Sequence, residues 1–173
     1  LKEISNLNKM FEHTSIFFVL VPDSPLMQLL KRDVGLINTH YFMQDYSKEI
    51  EKLMRYKWQE GLLVTQKLVQ TLGDTIDCYV SGEDTSTTML SPMQFSDYCL
   101  PYLDNQSNII HNKNHIHIIH MCGFVKNLLP YMAILKADGF EALTTSPVGD
   151  IKILDIYEYL GDKAVIGGMN AAV

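Results

Sequence analysis

His115-Ile116-His117-Ile118-Ile119-His120-Met121-Cys122-Gly123 is a short β-rich run that breaks at a glycine, and a helical pattern over residues 125–135 follows almost at once. A strand that turns through a loop directly into a helix is half of a β-α-β crossover. The same unit recurs upstream. Ile16-Phe17-Phe18-Val19-Leu20-Val21 is a continuous apolar run closed by Pro22-Asp23-Ser24-Pro25, which reads as a strand covered on both faces and then a turn. From Ser47 to Leu72, Ile50, Leu53, Met54, Trp58, Leu62, Val64, Leu68 and Leu72 recur mostly at every third or fourth position, an amphipathic helix that Gly73 stops. Residues 76–80 form the next strand, ended by Ser81-Gly82-Glu83-Asp84-Thr85-Ser86-Thr87-Thr88. Ser91-Pro92, an N-cap followed by proline at the first helical position, opens a helix that reaches Tyr102 or beyond. Downstream, a strand over residues 140–143, a helix over 151–160 and a strand over 163–166 complete the series.

Strands and helices that alternate with short connections predict an α/β fold with parallel strands. Similar breakers, Leu72-Gly73-Asp74 and Leu160-Gly161-Asp162, precede two of the strands, while polar or glycine-bearing residues follow them. That asymmetry predicts a TIM-type (β/α)8 barrel, whose functional loops follow the strands. With 173 residues the chain is expected to be one domain, 1–173, holding an incomplete segment of about five βα units.

A net charge of −6 without a dense Lys/Arg run gives no footprint for a phosphate backbone, so nucleic acid is not an expected partner. No apolar stretch is long enough to span a bilayer and the first residues lack the order of a signal peptide, so a cytoplasmic protein is expected, away from membranes. The three cysteines, Cys78, Cys99 and Cys122, have no paired spacing and read as reduced thiols. Together with nine methionines they are compatible with a reducing or anaerobic setting.

His120 and Cys122 lie two residues apart at a strand end, where alternation sends both side chains to one side. An imidazole and a thiolate so placed form half of a tetrahedral zinc site, and equally a buried cysteine beside a capping histidine. Glu83 and Asp84 follow one neighbouring strand and Glu141 lies within another. A carboxylate on so apolar a strand is costly to bury unless it is paired or ligates a metal, so Glu141 is either a rim carboxylate held by a lysine or backbone amides, or a ligand. His111 and His115 sit toward the opposite end of the strand from Cys122, and His117 shares a face with Ile119 rather than His120. His117 is expected to pack against the covering helices, and Cys78 and Cys99 in the core.

The ordered series Glu83-Asp84-Thr85-Ser86, Ser91-Pro92-Met93-Gln94-Phe95, Leu100-Pro101-Tyr102-Leu103, His120-Met121-Cys122-Gly123, Asp138-Gly139-Phe140-Glu141 and Gly161-Asp162-Lys163 leading to Gly167-Gly168 resembles the uroporphyrinogen decarboxylase superfamily. Residues 19–25 depart from the loop shared by the true decarboxylases. The H-x-C pair is similar to that of the methylcobamide:thiol (coenzyme M type) methyltransferases, whose further zinc ligand, a cysteine, would fall beyond Val173. The resemblance implies zinc on His120, Cys122 and Glu141, with Glu83 or Asp84 as catalytic residues that orient the substrate or support a ligand. It implies transfer of a methyl group between a corrinoid (cobalamin) carried by a partner protein and a zinc-activated thiol or pterin acceptor. Two other readings stay open: decarboxylation of a tetrapyrrole, and binding of a corrinoid or partner without catalysis.

Overall fold

The computed structural model of the chain describes residues 2–11 and 14–168. The apolar runs pair as β1 (Phe18–Val21), β2 (Cys78–Ser81), β3 (Ile116–His120), β4 (Gly139–Leu143) and β5 (Ala164–Gly167), in one sheet whose spatial order is the chain order. Every neighbouring pair is parallel. The α/β class and the partial barrel therefore stand as expected.

Helices occupy the connections: α1 (Lys2–Met10), α2 (Pro25–Gln28), α3 (Leu36–Asp45), α4 (Ser47–Leu72), α5 (Pro92–Gln94), α6 (Leu100–His111), α7 (Leu129–Ile134) and α8 (Ile153–Leu160). The amphipathic period locates α4 to the residue, and Gly73 ends it at φ +48°. Ser91 accepts from the Gln94 amide while the Gln94 side chain accepts from the Ser91 amide, a complete capping box. Two π-helical turns, Leu29–Asp33 and Phe95–Cys99, interrupt the helices and leave no signature in the apolar period. Among the described residues no helix is long and apolar enough to cross a membrane.

Register sorts the side chains into two faces. Val21, Ser81, Ile119, Phe140 and Val165 are aligned across the sheet toward the helices, where Ile119 and Phe140 join the main core with Leu26, Phe95, Tyr102 and Leu103. The opposite, inner face carries Phe18, Cys78 and Ile116 in one row, Leu20, Val80 and Ile118 in the next, and His120, Glu141 and Ile166 at the carboxyl end. Cys78, expected in the core, is on this inner face and only half-buried, because the register puts it beside Phe18.

A polar network stitches the helices to the outer face. His117 is fully buried between the hydroxyls of Ser81 (2.8 Å) and Ser107 (2.7 Å), and Ser81 donates to Gln106, whose amide donates to Thr65 and to the Pro22 carbonyl. Gly61 makes room for this layer: a Cβ there would lie 2.3 Å from the Tyr102 hydroxyl.

Burial, reinforced by His111, lowers the pKa of His117 to about 3. Folding then holds it neutral while the unfolded chain takes up a proton below about 6.5, so its contribution is present at neutral pH and is lost as pH falls. In denaturant melts, the stability advantage of the wild-type chain over His117→Gln is expected to narrow by about 1.4 kcal/mol per pH unit below that value. An advantage independent of pH would show that the buried ring is not the group that titrates.

Candidate metal centre

β2 runs on past Ser81 without losing its pairing, since the Asp84 amide donates to the His120 carbonyl at 2.9 Å. Alternation then sends Asp84 to the inner face and Glu83 to the helix side. Asp84 adopts φ +51°, a left-handed conformation that aspartate tolerates better than most residues. Its Oδ1 lies 3.0 Å from His120 Nε2 and accepts from the Cys122 thiol at 3.8 Å. One donor atom each from Asp84, His120 and Cys122 fit within 4.8 Å of one another, and no other such group occurs among the described residues.

Glu141 lies beside this trio. Its Oε2 is 3.3 Å from His120 Nδ1, the ring nitrogen turned away from Asp84. The side chain is half-exposed, so it is not the buried carboxylate that its apolar strand suggests. Glu83 does not join the cluster: it is fully buried, accepts from the Ser24 amide (2.8 Å), the Ser24 hydroxyl and Thr85 (3.3 Å), and sits beside the buried Cys99. Burial, only partly offset by the Ser24 bonds, raises its pKa to about 7. Of the expected site residues, Asp84, His120, Cys122 and Glu141 are therefore brought together and Glu83 is turned away.

Loops lock the rim. Gly123 turns the chain at φ +80°, and Ser86 accepts from the Phe124 amide at 3.1 Å while the Thr87 amide donates to the Phe124 carbonyl at 2.8 Å, tying the loop after β2 to the loop after β3. Asp150 accepts from the amides of Val125 and Lys126. Burial, then the Asp84 charge, pushes the Cys122 thiol above its ordinary value. Beneath the rim a cavity of about 330 Å³ is lined by Phe18, Leu20, Val80, Gly82, Asp84, His120 and Glu141, an apolar floor under a polar lip.

An open parallel sheet with covering helices and a polar cluster at the carboxyl ends of its strands defines a segment of a (β/α) barrel with its site at the customary rim. The family model for uroporphyrinogen decarboxylase (URO-D) matches residues 29–173, and the chain belongs to that family. The solved structure of a methyltransferase from Methanosarcina mazei superposes with a TM-score of 0.68 at 14% identity, over 98% of this chain and 48% of that one. The chain thus spans about half the length of that structure. No curated protein sequence matches the chain.

Just beyond Glu141 the pairing of β4 breaks, between Glu141 and Leu143, where Ala142 adopts φ +66°. An L-residue there costs about 1–2 kcal/mol, against about 0.5–1 kcal/mol for the extra freedom of glycine in the unfolded chain. Ala142→Gly is therefore expected to leave stability unchanged or raise it by up to about 1.5 kcal/mol in thermal or denaturant melts. A clear loss would show that the methyl group has a packing role that outweighs the strain.

Proposed function

We propose that the chain carries the zinc centre of a methyltransferase that moves a methyl group between a corrinoid on a separate protein and a thiol or pterin acceptor. The observation that carries this reading is the convergence of Asp84, His120 and Cys122 within 4.8 Å at the carboxyl rim. One carboxylate oxygen, one imidazole nitrogen and one thiol sulfur are zinc donors, and together they supply three of the four positions of a tetrahedral zinc site. Membership of the URO-D family and the likeness in fold to a methyltransferase support the same reading.

Zinc, when bound, supplies a Lewis acid that lowers the pKa of a thiol acceptor, so that a nucleophile exists at neutral pH. The residues divide the remaining work. Asp84, His120 and Cys122 would hold the metal. Glu141, at His120 Nδ1, fixes the ring so that Nε2 faces the cluster, as carboxylates beside metal-binding histidines commonly do. Phe18, Leu20 and Val80 offer an apolar floor, open to solvent at Phe18 and Leu20, on which the body of an acceptor would lie.

The test is zinc content after dialysis, paired with methylcobalamin-dependent methylation of a thiol or pterin. Cys122→Ser is expected to abolish stoichiometric zinc while costing no more than about 1 kcal/mol of stability, because the thiol sits at the rim rather than in the core. Glu141→Gln is expected to weaken zinc by about ten- to a hundredfold without removing it. Stoichiometric zinc in Cys122→Ser, or conversion of uroporphyrinogen to coproporphyrinogen by the wild-type protein, would overturn the reading.

A further inference from the structure

Lys31, in the π-helical turn Leu29–Asp33, reaches the rim from the far side of Asp84. Its ammonium lies 2.5 Å from Asp84 Oδ2, donates to the Gly82 carbonyl at 2.5 Å and lies 3.2 Å from Asp23 Oδ2. An ammonium has three N–H donors, and these three oxygens account for them. Burial works against its charge, but the Asp84 hydrogen bond and the field of Asp23 outweigh burial and raise its pKa overall, so Lys31 stays a cation.

The consequence lies in how the two oxygens of Asp84 are shared. Oδ2 is held by Lys31, while Oδ1 faces His120 Nε2 and Cys122 Sγ. By gripping the Gly82 carbonyl as well, the ammonium ties down both ends of residues 82–84, across the segment that reaches φ +51° at Asp84. We propose that Lys31 is a positioning residue for the metal centre, which holds Asp84 so that a single carboxylate oxygen is presented to the cation. This inference rests on the zinc reading of the cluster. Removal of Lys31 takes the cation from Asp84 Oδ2, while Asp23 keeps Arg32 at 3.0 Å, so the Asp84 carboxylate loses its second anchor and turns off its line to His120.

Cobalt(II) as a probe for zinc decides the matter. Lys31→Met is expected to raise the cobalt dissociation constant about ten- to a hundredfold and to change the visible spectrum, because the oxygen ligand is displaced or becomes two-toothed. In an Asp84→Asn background the same substitution should add less than about twofold, since Lys31 acts through that carboxylate. Lys31→Gln, which retains a donor for the Gly82 carbonyl, should show the same loss and serves if the methionine variant fails to fold. An unchanged dissociation constant and spectrum, tighter binding, or a full additional loss in the Asp84→Asn background would overturn the proposal. Crystal structures of the metal-free wild-type and Lys31→Met chains separate this inference from the zinc reading. A wild-type chain that binds neither zinc nor cobalt removes the zinc centre, yet an Asp84 carboxylate displaced only in the variant still establishes the clamp. An Asp84 that does not move in the variant defeats it.

Discussion

The hydrogen bond from the Asp84 amide to the His120 carbonyl continues the β2–β3 ladder beyond the last residue of β2. A second bond, from the Met121 amide to the Glu141 carbonyl at 3.0 Å, does the same between β3 and β4. Because the period of two survives into the loops, three strand ends behave as one rigid frame, and the direction of each functional side chain is decided by whether its position is in or out of phase with the inner face. Asp84, His120 and Glu141 are in phase. Glu83 is out of phase by one residue, and that step carries it from the rim into the helix layer.

Two adjacent carboxylates consequently meet opposite surroundings. Glu83 is desolvated among Ser24, Thr85 and Cys99, where its pKa rises to about 7. Asp84 is shared between the Lys31 ammonium and the His120 ring. At the rim itself Asp84 and Glu141 flank His120, and Lys31 is the cation that touches Asp84. Such a cluster is short of positive charge, which a divalent cation among Asp84, His120 and Cys122 would supply. On the outer face Ser81, His117, Ser107 and Gln106 are instead matched to one another, although the buried Tyr79 hydroxyl on that face has no partner.

Much of this was legible in the residues because it follows from period and punctuation. The recurrence of Ile50, Met54, Leu62 and Leu72 and the stop at Gly73 define α4, and five apolar runs divided by helical patterns define the parallel sheet. Alternation along β3 likewise separates His117, in the core, from His120, at the rim. What could not be read is whatever depends on the chain failing to behave regularly. The π-helical turn that delivers Lys31 to Asp84 lies between the turn at Pro25 and the helix from Ser47, where the sequence pattern assigns no element, and the positive φ at Ala142 falls on a residue that does not advertise it. Lys31 was missed for a related reason: it and Asp84 are separated by the whole of α3 and α4, so no spacing links them. A lysine two helical turns past Asp23, in the connection that follows β1, was the available signal, and it is a weak one.

The place of Glu141 shows how the two levels combine. The resemblance assigns it to the metal, whereas its nearest partner at the rim is the His120 nitrogen that points away from the other donors. The oxygen that shares space with His120 Nε2 and Cys122 Sγ comes instead from Asp84. Were a metal bound, a carboxylate beside one nitrogen of the ring would help to aim the other at it. The bulge at Ala142 comes only after Glu141, whose place is set by its regular register between His120 and Ile166. Register thus places Glu141 beside the ring, while the oxygen nearest His120 Nε2 is that of Asp84.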